Sequence, residues 1–156
     1  MLRSGLLSIV IVAGCGGKAA PTSKDASVVE PYILIQETLA RDSLDKLPEL
    51  SARVVVAAEA LAQAPGVGDI TAGAGRVAAQ DIDTARAGFQ KMSGGLITYL
   101  KANPDRRAGY EVVFCPMAFN NKGAYWVQKN GEIINPYHGM MMLHCGDKVS
   151  WDKAPG

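Results

Sequence analysis

Hydrophobic residues recur every three or four positions along most of the first hundred residues. The most regular run consists of Ile82, Ala85, Phe89, Met92, Leu96 and Tyr99, with polar residues between them. Such spacing places apolar side chains on one face of a helix. It predicts a helix over 81–102, in which Met92 is a core residue and not a metal ligand.

Weaker copies of this pattern cover three earlier segments. Residues 27–41 and 45–64 keep helical spacing, with prolines confined to the first turns. Residues 69–79 are small and glycine-rich, which indicates a weak or short helix; no strand precedes them as in a phosphate-binding loop. Three or four helices of this kind bury their apolar stripes against one another, which predicts an antiparallel bundle.

The pattern changes near Asn103, where aromatic and β-branched residues replace alanine. Residues 110–114 are predicted to form a strand. Residues 124–128 and 132–134 flank Lys129-Asn130-Gly131, and Asn-Gly between apolar runs predicts a β-hairpin. The predicted fold class is therefore α+β, with a bundle of three to four helices followed by a small C-terminal hairpin or strand segment.

The N-terminus has the order of a secretory signal. Arg3 precedes a short apolar run, which ends in Val12-Ala13-Gly14-Cys15 and is too short for the roughly 20 residues of a membrane span. Those four residues resemble the bacterial lipobox, which implies a signal peptide over 1–14 and lipidation of Cys15. An N-terminal anchor helix or core strand is the alternative. Gly16 after the cysteine favours the outer membrane.

This organisation leaves one globular domain. Residues 15–26 are interpreted as the lipidated cysteine and a flexible tether. The domain covers 27–150, with the bundle in 27–102, a cysteine and methionine motif region in 109–146, and a tail at 151–156. The chain is 48% hydrophobic and 20% charged with a net charge of +1, and it has no Lys/Arg cluster. Nucleic acid is therefore not an expected partner.

The motif region concentrates sulfur. Cys115 and Met117 are two residues apart, so extended backbone would place both sulfurs on one side. Met142 and Met141 precede Cys145 by three and four residues, so one helical turn would present either pair on one face. Soft sulfur ligands suit Cu(I) and Ag(I). If the two segments meet, their sulfurs converge on such an ion, with Met141, His144 and His138 as reserve ligands.

A disulfide between Cys115 and Cys145 is the competing interpretation. Exported domains with an even pair of cysteines most often bridge them. The bond would close a loop of about 31 residues and contribute roughly 3–4 kcal/mol on the chain-entropy estimate. The two states can alternate in time, since a disulfide and a reduced, metal-loaded dithiol use the same sulfurs.

Several motifs in the second half resemble a bacterial family, a domain of unknown function. They are Cys115-Pro-Met-Ala-Phe119, Lys122-Gly-Ala-Tyr-Trp126, Asn135-Pro-Tyr-His-Gly139 and Met142-Leu-His-Cys-Gly146, together with the helical stretch 32–42. Members occur as lipoproteins and at the C-terminus of copper/silver-efflux periplasmic adaptor proteins. The resemblance implies a periplasmic domain linked to heavy-metal handling. The chain departs from the family at Met140, Met141 and His138, which add potential donors.

These observations favour one function over two others. The favoured one is a non-enzymatic, lipid-anchored envelope protein that binds Cu(I) or Ag(I) for sequestration or hand-off, with an efflux adaptor or another envelope protein as partner. The alternative is an interaction module stapled by a Cys115–Cys145 disulfide and without a metal role. An enzyme is not expected, because the chain shows no Cys-x-x-Cys in a βαβ context, no Ser/His/Asp order with a nucleophile turn, and no paired carboxylates in a polar motif.

Overall fold

The computed structural model describes residues 27–61 and 63–156. The predicted signal peptide at 1–14, the lipidation site at Cys15 and the tether at 15–26 lie outside these residues. Within the described part, no helix combines the length and the apolar character needed to cross a membrane.

Four helices form the first half of the domain: α1 (Val29–Ala40), α2 (Leu47–Glu59), α3 (Val67–Val77) and α4 (Ile82–Ala102). Asp81 caps α4, because its Oδ1 accepts the Thr84 N–H at 2.8 Å. The predicted helical bundle is confirmed, although α2 ends at Glu59 and not at residue 64. Pro48 lies in the first turn of α2, as expected.

The glycine-rich stretch forms a regular helix because its glycines allow close packing. A Cβ on Gly73 would collide with backbone atoms of Gly88 and Met92 in α4. Without side chains at the contact, α3 and α4 approach each other closely and bury Ile70 and Phe89. Local propensity alone indicates a weak helix here, and the packing overrides it.

A three-stranded antiparallel sheet completes the domain in the order β2-β1-β3: β1 (Tyr110–Cys115), β2 (Ala124–Lys129) and β3 (Asp147–Val149). The α+β class is therefore confirmed. Between β1 and β2, the short turn Ala118–Asn121 holds Phe119 and Asn120 at left-handed φ values of 53° and 58°. Two short 3₁₀ helices cover Pro104–Arg106 and Gly139–Met142.

The hairpin predicted at Asn130-Gly131 is wrong, since residues 132–134 form no strand and β2 pairs with β1 instead. The buried side chain of Gln128 makes the hydrogen bonds to residues 132–134 that a paired strand would otherwise make. Its Nε2 donates to the Glu132 carbonyl at 2.9 Å, and its Oε1 accepts the Ile134 N–H at 3.2 Å. A side chain thus satisfies the backbone that a second strand would have paired.

The C-terminal residues pack against the domain. Ala154 is buried, and its carbonyl accepts a hydrogen bond from Lys101 Nζ at 2.7 Å. The Arg107 guanidinium lies 5.1 Å from the centroid of the Trp151 ring. The sequence pattern indicates a tail at 151–156, whereas the structured part continues at least to Ala154.

An aromatic cluster joins the bundle to the sheet. Tyr32 of α1 stacks on Phe89 of α4 at 4.8 Å, and Trp126 of β2 meets Tyr137 edge-on at 5.8 Å. The buried Tyr32 hydroxyl is hydrogen-bonded to Ser93 Oγ at 2.7 Å and accepts the Val127 N–H at 3.0 Å. The chain that follows β2 packs against this cluster through Tyr137.

Candidate functional site

The two cysteines of the motif region lie side by side. Cys115 ends β1, and Cys145 stands two residues before β3, whose Asp147 pairs with Phe114. The antiparallel pairing brings Cys145 alongside Cys115, with 3.2 Å between the two Sγ atoms. Both are free thiols in the structure. The expectation that the two sulfur-bearing segments meet is confirmed.

The separation of 3.2 Å lies between the sulfur–sulfur distances of two chemical states, a disulfide and a metal-bound pair of thiolates. A disulfide requires about 2.05 Å between the sulfurs. Two thiolates on one ion, each with a metal–sulfur bond of about 2.3 Å, lie at most about 4.6 Å apart. Either state is reached by a sulfur displacement of less than about 1.5 Å, which side-chain rotation can supply.

Cys145 is held by a hydrogen-bonded loop, residues 135–145, that we call the cysteine loop. Its hub is the fully buried Asn135. The Asn135 side chain donates from Nδ2 to the Cys145 carbonyl at 2.7 Å, while its Oδ1 accepts the N–H groups of Tyr137 at 2.8 Å and His138 at 3.1 Å. One side chain thus closes the loop and fixes the backbone position of Cys145.

Tyr137 anchors the cysteine loop in the aromatic cluster. Its ring packs against Trp126 and Phe119, and its hydroxyl donates to the Tyr125 carbonyl at 2.6 Å. Burial, and next the charge of the neighbouring Tyr32, raise the pKa of Tyr137 well above its usual value. The hydroxyl therefore remains a protonated donor and keeps the loop attached to β2.

A second anchor ties the loop to the helices. The Asp42 carboxylate, at the end of α1, accepts the Met140 N–H at 2.9 Å and pairs with Arg86 of α4 at 2.6 Å. Arg86 also donates from Nε to the Pro136 carbonyl at 2.8 Å. The hydrogen bond from Met140, followed by Arg86, lowers the pKa of Asp42. These contacts of Asp42 and Arg86, which we call the latch, join the cysteine loop to the helices.

Replacing Gly139 with alanine should weaken this latch. Gly139 has φ of 56°, a left-handed conformation that costs an L side chain about 1 kcal/mol, and a Cβ there would collide with the Asp42 carboxylate. We expect a loss of about 1–3 kcal/mol in the free energy of unfolding, measured by urea denaturation. Gly109→Ala is the matched control, because its φ of 84° is also left-handed but a Cβ there meets open space. Equal losses in the two variants would contradict the latch.

The two thiols differ in accessibility. Cys115 is fully buried, whereas Cys145 is partly exposed. Desolvation raises the pKa of Cys145 to about 11, with further contributions from Cys115 and the negative charge of Asp147. At neutral pH the Cys145 thiol is therefore protonated in the metal-free protein.

We expect iodoacetamide to alkylate Cys145 slowly at neutral pH. Because only the thiolate reacts and its fraction grows tenfold per pH unit below the pKa, the rate should rise about tenfold per unit up to roughly pH 10. An unstructured thiol with a pKa of about 8.5 should level off about 2.5 pH units earlier. Mass spectrometry of quenched samples measures both rates. A plateau already at pH 8.5 would show that the fold does not suppress ionisation.

The methionines of the motif region are unusually exposed. Fractional exposures are 45% for Met117, 63% for Met140 and 85% for Met141. Apart from Val56, these three are the exposed large hydrophobic side chains of the described residues. Methionine normally fills cores, so three solvent-facing thioethers in the two cysteine segments point to a role outside packing.

The geometry assumed for Met117 is wrong, although its role as a ligand stays a prediction. The strand ends at Cys115, and Met117 has φ of −86° and ψ of −12°, so the backbone between them is not extended. The turn expected for Met142 is present, since the Cys145 N–H donates to the Met142 carbonyl at 3.0 Å. Met142 is partly buried.

Both histidines of the loop keep a free ring nitrogen. His144 Nδ1 lies 2.7 Å from the Ile133 carbonyl, which can only accept, so the tautomer that fits in the neutral ring has the proton on Nδ1 and the lone pair on Nε2. Metal-bound histidines typically have this arrangement, in which the second ring nitrogen donates to a carbonyl. His138 Nε2 is buried and has no hydrogen-bond partner in the described structure. In 27–61 and 63–156, no three His, Cys, Asp and Glu side chains form a group that could hold an ion.

Comparison of the chain with protein-family profiles, with curated proteins and with solved structures finds no match. The family resemblance therefore stays a prediction. The sequence pattern places Cys115, Cys145 and their neighbours in one region, but it misses Asp42 and Arg86. Asp42 ends the stretch 32–42 that carries the family resemblance, but no local signal marks Arg86 or links either residue to the cysteine loop. The contacts span 98 positions from Asp42 and 50 from Arg86.

Proposed function

We propose that this chain is a non-enzymatic cell-envelope lipoprotein that binds Cu(I) or Ag(I) through Cys115 and Cys145, with Met117 and Met142 as thioether ligands. Metal sequestration or hand-off to an efflux adaptor would be its task, with Cys15 anchoring it on the periplasmic side, in the outer membrane. The single observation that carries the proposal is the 3.2 Å separation of the two free Sγ atoms.

The chemistry of the site fits a soft monovalent ion. Two thiolates bind Cu(I) or Ag(I) strongly, whereas harder cations prefer oxygen. The ion itself displaces the thiol protons, which offsets the cost of ionising a thiol whose pKa is about 11. Binding therefore releases up to two protons, and affinity should strengthen as pH rises towards that value.

The exposed methionines provide thioether ligands through which a soft ion can enter and leave the site. Thioethers carry no proton, so Met140 and Met141 can take up a soft ion at neutral pH while the Cys145 thiol is still protonated. They stand five and four residues before Cys145, and both side chains are exposed to solvent. An ion held by exposed neutral ligands can exchange stepwise with the ligands of a partner.

The proposal is tested by titrating anaerobically reduced full-length protein with Cu(I) in competition with a chromogenic Cu(I) chelator. We expect one ion per chain and a dissociation constant well below micromolar. The same protein oxidised beforehand to the disulfide is the internal control, and it should lose the tight site. Binding weaker than micromolar in the reduced protein would overturn the proposal.

A disulfide-stapled interaction module is the second candidate, and burial of Cys115 favours it. A buried sulfur 3.2 Å from its partner needs little movement to form a bond. Thiol counting on protein purified from the periplasm separates the two functions. No free thiols, and resistance to mild reductant, would favour the staple; two thiols would favour the metal site.

A further inference from the structure

The cysteine pair has a built-in order of reaction. Cys115 is enclosed in β1, where Ala124 of β2 is its cross-strand partner, and none of its surface reaches solvent. Cys145 lies in the coil between the Gly139–Met142 turn and β3, and part of it is exposed. A reagent that enters from solvent therefore meets Cys145 first.

We propose that the pair is a stoichiometric thiol–disulfide exchange site for small-molecule disulfides, in which Cys145 is the entry thiol and Cys115 is the resolving thiol. Glutathione disulfide represents this class of reagent. The inference rests on the positions of the two sulfurs alone and does not depend on metal binding.

The reaction consists of two balanced exchanges. The Cys145 thiolate attacks one sulfur of the reagent, whose S–S bond breaks, and one small thiolate leaves and takes up a proton. The Cys115 sulfur, after giving up its own proton, then attacks Cys145 Sγ, and the second small thiol leaves as the intramolecular bond forms. The protein pair loses two electrons and two protons, and the reagent gains both as it becomes two thiols.

The second exchange should be much faster than the first. Cys115 Sγ already lies 3.2 Å from Cys145 Sγ, and Asn135 holds the Cys145 backbone in place. Reacting atoms held at such a distance behave as if present at very high concentration. A mixed disulfide on Cys145 should therefore be short-lived whenever Cys115 is present.

The test treats full-length, reduced protein with glutathione disulfide in the presence of a metal chelator, followed by acid quenching and mass spectrometry. Cys15→Ser is the common background, so that only two thiols are present. The unchanged pair should yield the intramolecular disulfide without a lasting glutathione adduct. Cys115→Ser should accumulate the adduct at Cys145, and Cys145→Ser should react at least about tenfold more slowly, because Cys115 is exposed only by local opening.

Two outcomes would overturn the proposal. One is a Cys145→Ser variant that reacts as fast as Cys115→Ser, and the other is a lasting adduct on the unchanged pair. If a serine variant unfolds, early quenching and peptide mapping of the unchanged pair still decide the order, since the first adduct must appear on the peptide that contains Cys145. Failure here would leave Cu(I) titration unaffected, so the two proposals fail independently.

Discussion

Cu(I) binding by the Cys115→Ser variant is expected to be more than about 100-fold weaker than by the unchanged protein. Loss of a residue that only orients a ligand already costs 10–100-fold in metal affinity, and Cys115 is proposed as a direct ligand. A serine hydroxyl is also a hard oxygen donor that a soft ion binds poorly. Competition with a chromogenic Cu(I) chelator, on reduced protein, measures the change.

Two controls isolate the thiol in this experiment. Met92→Leu removes a sulfur from the core of α4, far along the chain from the cysteine loop, and should leave the affinity unchanged. Circular dichroism of the metal-free Cys115→Ser variant shows whether the buried hydroxyl, which costs about 1–3 kcal/mol if it finds no partner, has unfolded the domain. A folded variant that binds Cu(I) as tightly as the unchanged protein would remove Cys115 from the site.

Asn135→Ala is expected to lower the free energy of unfolding by about 3–4 kcal/mol, the largest stability loss among the changes considered. The substitution leaves the Cys145 carbonyl and the N–H groups of Tyr137 and His138 without partners. The hydrogen bond to Tyr137 is buried and the other two are part-buried. A group that loses its partner costs about 1–3 kcal/mol, at the lower end of that range where water can reach it. Urea denaturation followed by circular dichroism measures the loss.

The same variant should also weaken Cu(I) binding by about 10–100-fold, because the Cys145 backbone is no longer fixed. Asn130→Ala is the matched control: Asn130 is exposed, and only its backbone forms a hydrogen bond, to Gly109. That change should stay within about 0.5 kcal/mol. Equal stabilities of the two alanine variants would show that Asn135 does not organise the cysteine loop.

Features of the fold that depend on local periodicity could be predicted from the sequence. The step of three and four from Ile82 to Tyr99 defines α4, and the observed helix, Ile82–Ala102, starts one residue later than predicted. The strand at Tyr110 and the strand at Ala124 are both present. Each is set mainly by neighbours in the chain, so a sequence pattern contains the necessary information.

Features that depend on long-range contacts could not be predicted in the same way. The Asn-Gly dipeptide favours a hairpin, yet the Gln128 side chain occupies the backbone groups that a strand would need. The three-residue β3 is too short to give a pattern. The latch joins Asp42 and Arg86 to a loop distant in the chain, and no spacing rule reports such a contact.

Some features of the candidate site could likewise be predicted from the sequence, and others could not. Each cysteine has a methionine close by in the sequence, and both interpretations of the pair required the two segments to meet; the distance between their sulfurs shows that they do. The position of Met117 was inferred from an extended backbone that the turn at Pro116 interrupts. Whether that thioether joins the site depends on side-chain rotation, which residue spacing does not determine.

The central claim is that Cys115 and Cys145 bind one soft ion together. X-ray absorption spectroscopy at the copper edge, on anaerobically loaded protein with one Cu(I) per chain, tests it most directly. The account predicts a coordination shell with at least two sulfur atoms per ion, reduced by one in both Cys115→Ser and Cys145→Ser. A shell of nitrogen and oxygen alone, or one that neither substitution changes, would contradict it.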